Sequence, residues 1–209
     1  MRARPLFALV PVKGFARAKS RLDVPARQRA QVAETLACRT LTLLVESDVH
    51  ETFVVSDDTD VLDLAVALGC QAVAESRPWA GLNAALSDAT HAAAAADPRG
   101  ATLVMVADLP ALDRAVVAQA TELFATATSP MFVPDRDGTG STAAFRPPGD
   151  QRGTHFGRSS ARRHLRAGYR ACLEVGNALR WDLDVLADLD ESMASGILAP
   201  PNTSPTAVK

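Results

Sequence analysis

Cysteine is scarce and scattered: Cys38, Cys70 and Cys172 are the only three in 209 residues. An odd number without close spacing excludes a disulfide framework and a cysteine-based metal cage. All three are expected to be buried, reduced thiols in a cytoplasmic protein. Charge of one sign is also lacking, since 22 basic and 24 acidic residues leave a net charge of -2. Non-specific attraction to nucleic acid or to anionic membrane is therefore not expected. No apolar run is long enough to span a bilayer. The N-terminal run is short, is interrupted by Pro11 and Lys13 and has no small-residue cleavage site, so it reads as a first strand rather than a signal peptide. A G-x-x-x-x-G-K-[ST] phosphate loop is absent, and no Ser-His-Asp or Cys-His arrangement is evident. Aromatic residues are few, at 5%, in an otherwise ordinary globular composition with 47% hydrophobic residues.

What is present is alternation. Apolar runs expected as strands (Leu6–Val12, Thr52–Val55, Cys70–Ala74, Ala101–Ala107) alternate with helical patterns (Pro25–Glu46, Asp58–Leu68, Gly81–Ala95, Asp113–Ala127). Asp58 or Thr59 is placed to cap the second helix, and Gly69 to end it. Further strands are expected at Met131–Val133, Thr142–Phe145, Tyr169–Val175 and Trp181–Asp184, with a helix over Ser160–Ala167 and another after Asp184. This is the pattern of a single α/β domain over residues 1–199 with a mostly parallel sheet flanked by helices. The Pro/Ser/Thr-rich residues 200–209 are expected to be a disordered tail. Ligands of such sheets bind beyond the carboxyl ends of the strands, and polar segments gather there.

The first strand leads into Lys13, Arg17, Lys19 and Arg21, four cations that could hold a triphosphate or could be a solvated loop. Asp108 follows the most apolar strand, well placed to hold Mg²⁺ through hard oxygen, or simply to enter a turn before Pro110. Trp181-Asp182-Leu183-Asp184 would put two carboxylates on one face of a strand, where they repel unless a cation lies between them. Pro134-Asp135-Arg136-Asp137-Gly138-Thr139-Gly140-Ser141-Thr142 is a glycine- and hydroxyl-rich loop whose N–H groups could wrap an anion. A plain hairpin turn is the competing reading. Ser160, opening a basic helix after Gly157, could join an anion site or merely cap the helix. His155 and His164 lack a nucleophile partner and read as structural or surface residues. Gly81 would permit close approach of a ligand and Asn83 could bond a base edge, although both also suit an ordinary helix start.

Six segments in order, VPVKGFARAKSRL, GLNAAL, VADLPAL, PDRDGTGST, HFGRSSARRH and WDLD, resemble the phosphoenolpyruvate / 2-phospho-L-lactate guanylyltransferase family of deazaflavin coenzyme F-420 biosynthesis. The resemblance covers the chain from Leu9 to about Leu189. It implies a Rossmann-like, GT-A-like nucleotidyltransferase fold and GMP transfer from GTP, with release of pyrophosphate. It further implies Mg²⁺ at Asp108, Asp182 and Asp184, and phosphoenolpyruvate at Thr142, Gly157 and Ser160. GTP falls to Lys13, Lys19, Arg21, Gly81 and Asn83, with Lys13, Lys19 and Arg21 also neutralising charge in catalysis. The implied partners are GTP, a small phosphorylated carboxylic acid and the next transferase of the pathway, to which product could be channelled. The chain departs from the usual family pattern at Ser141, at Arg158-Ser159 and after Asp184. The acceptor stays open among phosphoenolpyruvate, 2-phospho-L-lactate and 3-phosphoglycerate. Another nucleotidyltransferase, or a non-catalytic nucleotide-binding subunit, are the competing readings.

Overall fold

Leu6–Pro11 (β1) alternates its side chains between two faces, and both faces are buried. In the computed structural model, which describes residues 4–19, 22–184 and 186–194, this strand lies inside the sheet and splits the core in two. Leu6, Ala8 and Val10 pack on one side with Leu41 and Leu44 of Ala26–Val45 (α1) and with Val117 and Phe124 of Arg114–Thr126 (α4). Phe7 and Leu9 pack on the other side with Ala85, Leu86, Ala89 and Ala93 of Leu82–Ala96 (α3). The small alanines of α3 let its backbone approach the sheet. The buried positions of α1 (32, 33, 36, 37, 40, 41, 44) repeat with the helical period, so one stripe faces inward. Cys38 lies off that stripe and is only half-buried, whereas Cys70 and Cys172 are buried as expected; all three thiols are free.

The remaining strands are Glu51–Ser56 (β2), Gln71–Ala74 (β3), Ala101–Met105 (β4), Met131–Pro134 (β5), Ser141–Arg146 (β6) and Arg170–Ala171 (β7). They form one sheet in the order β3-β2-β1-β4-β6-β5-β7. Leu9 sits opposite Phe53 on one side and Val104 on the other, both in parallel pairs. Only β6 runs against its neighbours β4 and β5. Thr59–Ala67 (α2) is capped by the Asp58 carboxylate, which accepts the Asp60 N–H, and Gly69 follows it with a positive φ of 86°. Ser160–Arg166 (α5) and Leu186–Ala194 (α6) complete the helices among the described residues.

Two expected strands are shortened or lost. The run from Tyr169 to Val175 gives only the two-residue β7. Trp181–Asp184 is extended but joins no sheet; its Leu183 N–H bonds the Asp108 carbonyl at 3.0 Å. The alternation still holds there, because Trp181 and Leu183 are buried while Asp182 and Asp184 are half-exposed. A separate small core of Leu22, Val32, Leu36, Leu183 and Leu189 clamps this segment, rather than a sheet ladder. The expected tail lies outside the described residues.

The Pro134–Thr142 loop is a hairpin turn that encloses its own anion. The Asp135 carboxylate accepts the N–H groups of Thr139 (2.9 Å) and Gly140 (2.6 Å), and the Asp135 carbonyl accepts that of Gly138. A Cβ on Gly140 would lie 2.2 Å from Asp135 Oδ2, so any side chain there would displace that carboxylate. Three of the N–H donors that could have wrapped a ligand are thus committed to Asp135, two to its carboxylate and one to its carbonyl.

One polar ring is buried in the second core. His164 is fully buried and meets the rings of Phe132 (5.3 Å), Phe156 (5.2 Å), Tyr169 (5.0 Å) and His155 (5.7 Å). Burial, and then the nearby His155 and Arg163, push its pKa down to about 4.

This packing has two testable consequences. Asp135→Ala releases two charge-assisted hydrogen bonds in a partly exposed loop and should cost about 2 kcal/mol in urea unfolding. An unchanged unfolding midpoint would show that the carboxylate does not organise the turn. An unfolded histidine binds its proton near pH 6.5, so between pH 6.5 and about 4 the unfolded chain holds more protons at His164 than the native one does. Its contribution is therefore full above pH 6.5 and is lost as pH falls toward 4, by on the order of 3 kcal/mol. His164→Phe should lose less stability than the parent between pH 6.5 and 4.5; parallel curves would assign the acid sensitivity to other groups.

Candidate active site

The carboxyl ends of β1, β2 and β4 open on one edge of the sheet, and the charged residues gather there. After β1, Lys13 is exposed. The next residue has no room for a side chain, because a Cβ on Gly14 would lie 2.1 Å from Asp58 Oδ2. The short turn Phe15–Arg17 then brings the Arg17 guanidinium onto the Asp57 carboxylate through two bonds of 2.8 and 2.5 Å. That pairing holds the Asp57 carboxyl below its ordinary pKa. Arg17 also lies 4.6 Å from the ring centroid of Trp79, which is 79% exposed and has a positive φ of 72°.

Lys19 turns inward, with a left-handed backbone (φ 55°) and a side chain only 7% exposed. Its Nζ lies 2.5 Å from Asp108 Oδ2 and also donates to the Leu183 carbonyl. Asp108 is held from behind by α1, where Thr40 Oγ1 donates to the Ala107 carbonyl and Arg39 to that of Pro110. Its second oxygen, Oδ1, is buried and has no hydrogen-bond partner among the described residues. Asp182 completes this corner. Burial first, and then the charges of Asp108 and Asp184, push its pKa up to about 7. Hard carboxylate oxygens, one of them orphaned, suit a divalent cation such as Mg²⁺ in their chemistry. They do not converge as a finished cage: among the described residues no three acidic, histidine or cysteine side chains are grouped closely enough to hold a metal. The expected three-carboxylate cluster is therefore a field of repelling charges with Lys19 against one of them. Asp184 N–H bonds Asp188 Oδ2 at 2.9 Å in the first turn of α6.

The other rim comes from β6, α5 and the loop between them. Gly157 has φ +106°, a conformation that disfavours any side chain, and a Cβ there would lie 3.1 Å from Arg163 Nη2. The flanking Phe156 is pinned at both main-chain atoms. Asn83 Oδ1 accepts its N–H (2.9 Å), while Asn83 Nδ2 and Arg163 Nη2 donate to its carbonyl at 3.0 and 2.8 Å. Asn83, expected to meet a base edge, has its amide committed to this loop instead. Gly81, expected beside it at the nucleotide, is the N-cap of α3 with φ +95° and nothing near its missing side chain. Thr142 is fully buried and donates to the Leu179 carbonyl at 2.6 Å, joining β6 to the turn before Trp181. Ser160 is not the cap of α5; that position is Ser159, left-handed at φ 55°. The Ser160 hydroxyl is buried and lies 3.1 Å from Ser141 Oγ, which in turn is 3.0 Å from His164 Nδ1.

The structure thus joins Lys19, Asp108 and Asp182 in one corner, and Ser160, Gly157 and Asn83 in another. Lys13 stands at the open mouth, and Arg21 lies outside the described residues. Asp57 and Trp79, the partners of Arg17, were not singled out from sequence, and Ser141 stood there only in its loop and as a departure from the family pattern. The only signals were Asp57 at the end of a strand and a hydroxyl after Gly140. Cations and carboxylates without an activated nucleophile suit chemistry on phosphate groups by alignment and charge neutralisation.

The MobA-like NTP transferase domain matches residues 20–198 of the chain. The phosphoenolpyruvate guanylyltransferase of Salinispora arenicola (strain CNS-205) is 37% identical over 193 residues, covering 90% of this chain and 88% of that protein. The phosphoenolpyruvate guanylyltransferase of Streptomyces coelicolor is 35% identical, covering 90% of each. Among solved structures, a candidate nucleotide-diphospho-sugar transferase from Desulfovibrio desulfuricans G20 shares the fold with a TM-score of 0.68 at 16% identity, over 96% of this chain and 90% of that one. An open sheet edge carrying paired charges, the matched domain and the shared sequence agree: the chain belongs to the MobA-like NTP transferases and, among them, to the phosphoenolpyruvate guanylyltransferase family.

Proposed function

We propose that this protein transfers GMP from GTP to the phosphate of phosphoenolpyruvate, releasing pyrophosphate and leaving a phosphoanhydride. The observation that carries the reading is the Lys19–Asp108 pair, with one Asp108 oxygen orphaned beside the half-buried Asp182, in a chain with this kinship. An acceptor phosphate monoester is largely dianionic at neutral pH, its second pKa being about 6. It can attack the α-phosphorus without a general base, which is why no Ser-His-Asp or Cys-His arrangement is needed. The task of the protein is to bring two anions together. Lys13, Arg17 and Lys19 line the entrance from β1, and Arg21 belongs with them by family resemblance. Asp108, Asp182 and Asp184 would hold Mg²⁺, which supplies charge neutralisation on the transferring phosphates when bound. Gly157 and Ser160, with Thr142 beneath them, form the acceptor rim, and Gly81 opens the nucleotide side. The product would enter deazaflavin coenzyme F-420 biosynthesis, handed to the next transferase of that pathway.

Incubating the purified protein with GTP, Mg²⁺ and each acceptor in turn, with pyrophosphate release and product mass as readouts, tests this. Guanylylated phosphoenolpyruvate is expected. Product from 2-phospho-L-lactate or 3-phosphoglycerate alone would move the acceptor, and GTP binding without pyrophosphate release would reduce the chain to a nucleotide-binding subunit. Asp108→Asn should lower turnover by roughly a hundredfold or more while its unfolding midpoint stays close to that of the parent. Near-parental turnover in that folded variant would remove Asp108 from the machinery.

A further inference from the structure

The buried imidazole of His164 has a fixed tautomer. The His155 main-chain N–H lies 3.1 Å from His164 Nε2. A main-chain N–H can only donate, so Nε2 must present its lone pair, and the neutral ring carries its proton on Nδ1. Protonating both nitrogens would forfeit that bond and place a charge among four rings, and burial resists this. The Ser160 carbonyl, a pure acceptor near the ring, also favours a proton-bearing nitrogen. Nδ1 faces Ser141 Oγ at 3.0 Å, and Ser141 Oγ faces Ser160 Oγ at 3.1 Å.

The hydrogens of this chain can be counted. The two serines own two hydroxyl hydrogens, and one of them spans the pair. Because an Nδ1 that carries the proton has no lone pair to accept with, the ring consumes neither. One O–H is therefore left to donate elsewhere. In the opposite tautomer Nδ1 would accept, and both hydroxyl hydrogens would be used internally. Ser160 is fully buried and Ser141 half-buried, so the remaining hydrogen belongs to Ser141, with Ser160 donating to it from behind.

We infer that His164 is a positioning residue whose Nδ1–H tautomer reserves the Ser141 hydroxyl as a donor to an oxyanion of the acceptor substrate. This rests on the assignment of Gly157 and Ser160 to the acceptor rim. His164 touches no substrate. It acts through the serine pair, and Ser141 itself makes the contact.

The tautomer can be read without any substrate. Long-range ¹⁵N–¹H correlation spectra of the labelled full chain at pH 7, with His164 identified by its loss in His164→Phe, should show the Nδ1–H form. An Nε2–H ring, or an average of the two, would overturn the inference whatever the chain catalyses. Kinetics supply the second test. His164→Phe keeps an aromatic ring in the cage but lacks the donor, and should raise KM for the acceptor about tenfold, the worth of one hydrogen bond to a charged group. KM for GTP should stay within about twofold. His164→Asn, which can return an N–H near the Nδ1 position, should recover most of that loss. Ser141→Ala should match His164→Phe, and the double variant should be no worse than either single one, since both remove the same contact. An unchanged acceptor KM, an equal rise in KM for GTP, or additive losses would each overturn it. If the parent protein transfers GMP to no acceptor, the proposed function fails instead. The device is then judged by calorimetric binding of inorganic phosphate, which His164→Phe and Ser141→Ala should weaken equally; binding unchanged in both would overturn it.

Discussion

One ammonium group, that of Lys19, joins three stretches of chain that are far apart in sequence. It pairs with Asp108 at the end of β4 and with the carbonyl of Leu183, and its own backbone adopts a left-handed turn to reach them. A charge buried this deeply is tolerable only with partners, so the position of each stretch constrains the others. The Leu183 N–H returns a bond to the Asp108 carbonyl, and Leu183 itself fills the small core beneath. The result is a corner in which carboxylates are held at close quarters although they repel. On the proposed function, that corner is where an enzyme acting on triphosphates would need affinity for a cation.

Local sequence carried the fold well wherever burial on two faces left one solution. Of the apolar run expected as a strand over Ala101–Ala107, the part to Met105 is strand and buried except for Thr102, while Val106 and Ala107 are half-buried beyond its end. The periodic stripe of α1 is the one that packs. A cap at Asp58 or Thr59 was also legible, because a short polar side chain before a helix has few other uses, and it is Asp58 that caps. Trp181–Asp184 was legible in its alternation but not in its setting. Two apolar side chains two residues apart require a buried face, and a helix-lined pocket supplies that as well as a sheet does.

The site was legible in residue type more than in partnership. Asp108 and Lys19 both stand out in the sequence, yet nothing there says that a separation of 89 positions is closed by the fold. Asn83 and the Pro134–Thr142 loop illustrate the opposite problem. An amide, or a row of free N–H groups, looks like a ligand site until the structure reveals an internal partner, here Phe156 for the one and Asp135 for the other. Buried donors and acceptors are nearly always satisfied from within. A polar motif in a sequence is therefore weaker testimony for a ligand than an atom such as Asp108 Oδ1, which is left without a partner among the described residues.

The reversed direction of β6 has a consequence for how such a protein diversifies. Three parallel strands, β1, β2 and β4, deliver their carboxyl ends to the open edge, but β6 delivers its amino end. On the function proposed above, the nucleotide rim is assembled from loops that leave strands, and the acceptor rim from the start of β6 together with the loop that leads into α5. The two rims belong to different segments of chain, coupled through Thr142 and the turn at Leu179 and through the bonds of Asn83 to Phe156. Substitutions at Ser141 and in the glycine loop before α5 touch none of the hydrogen bonds that hold the lysine–carboxylate corner. A lineage could change the molecule it modifies while keeping the nucleotide it spends.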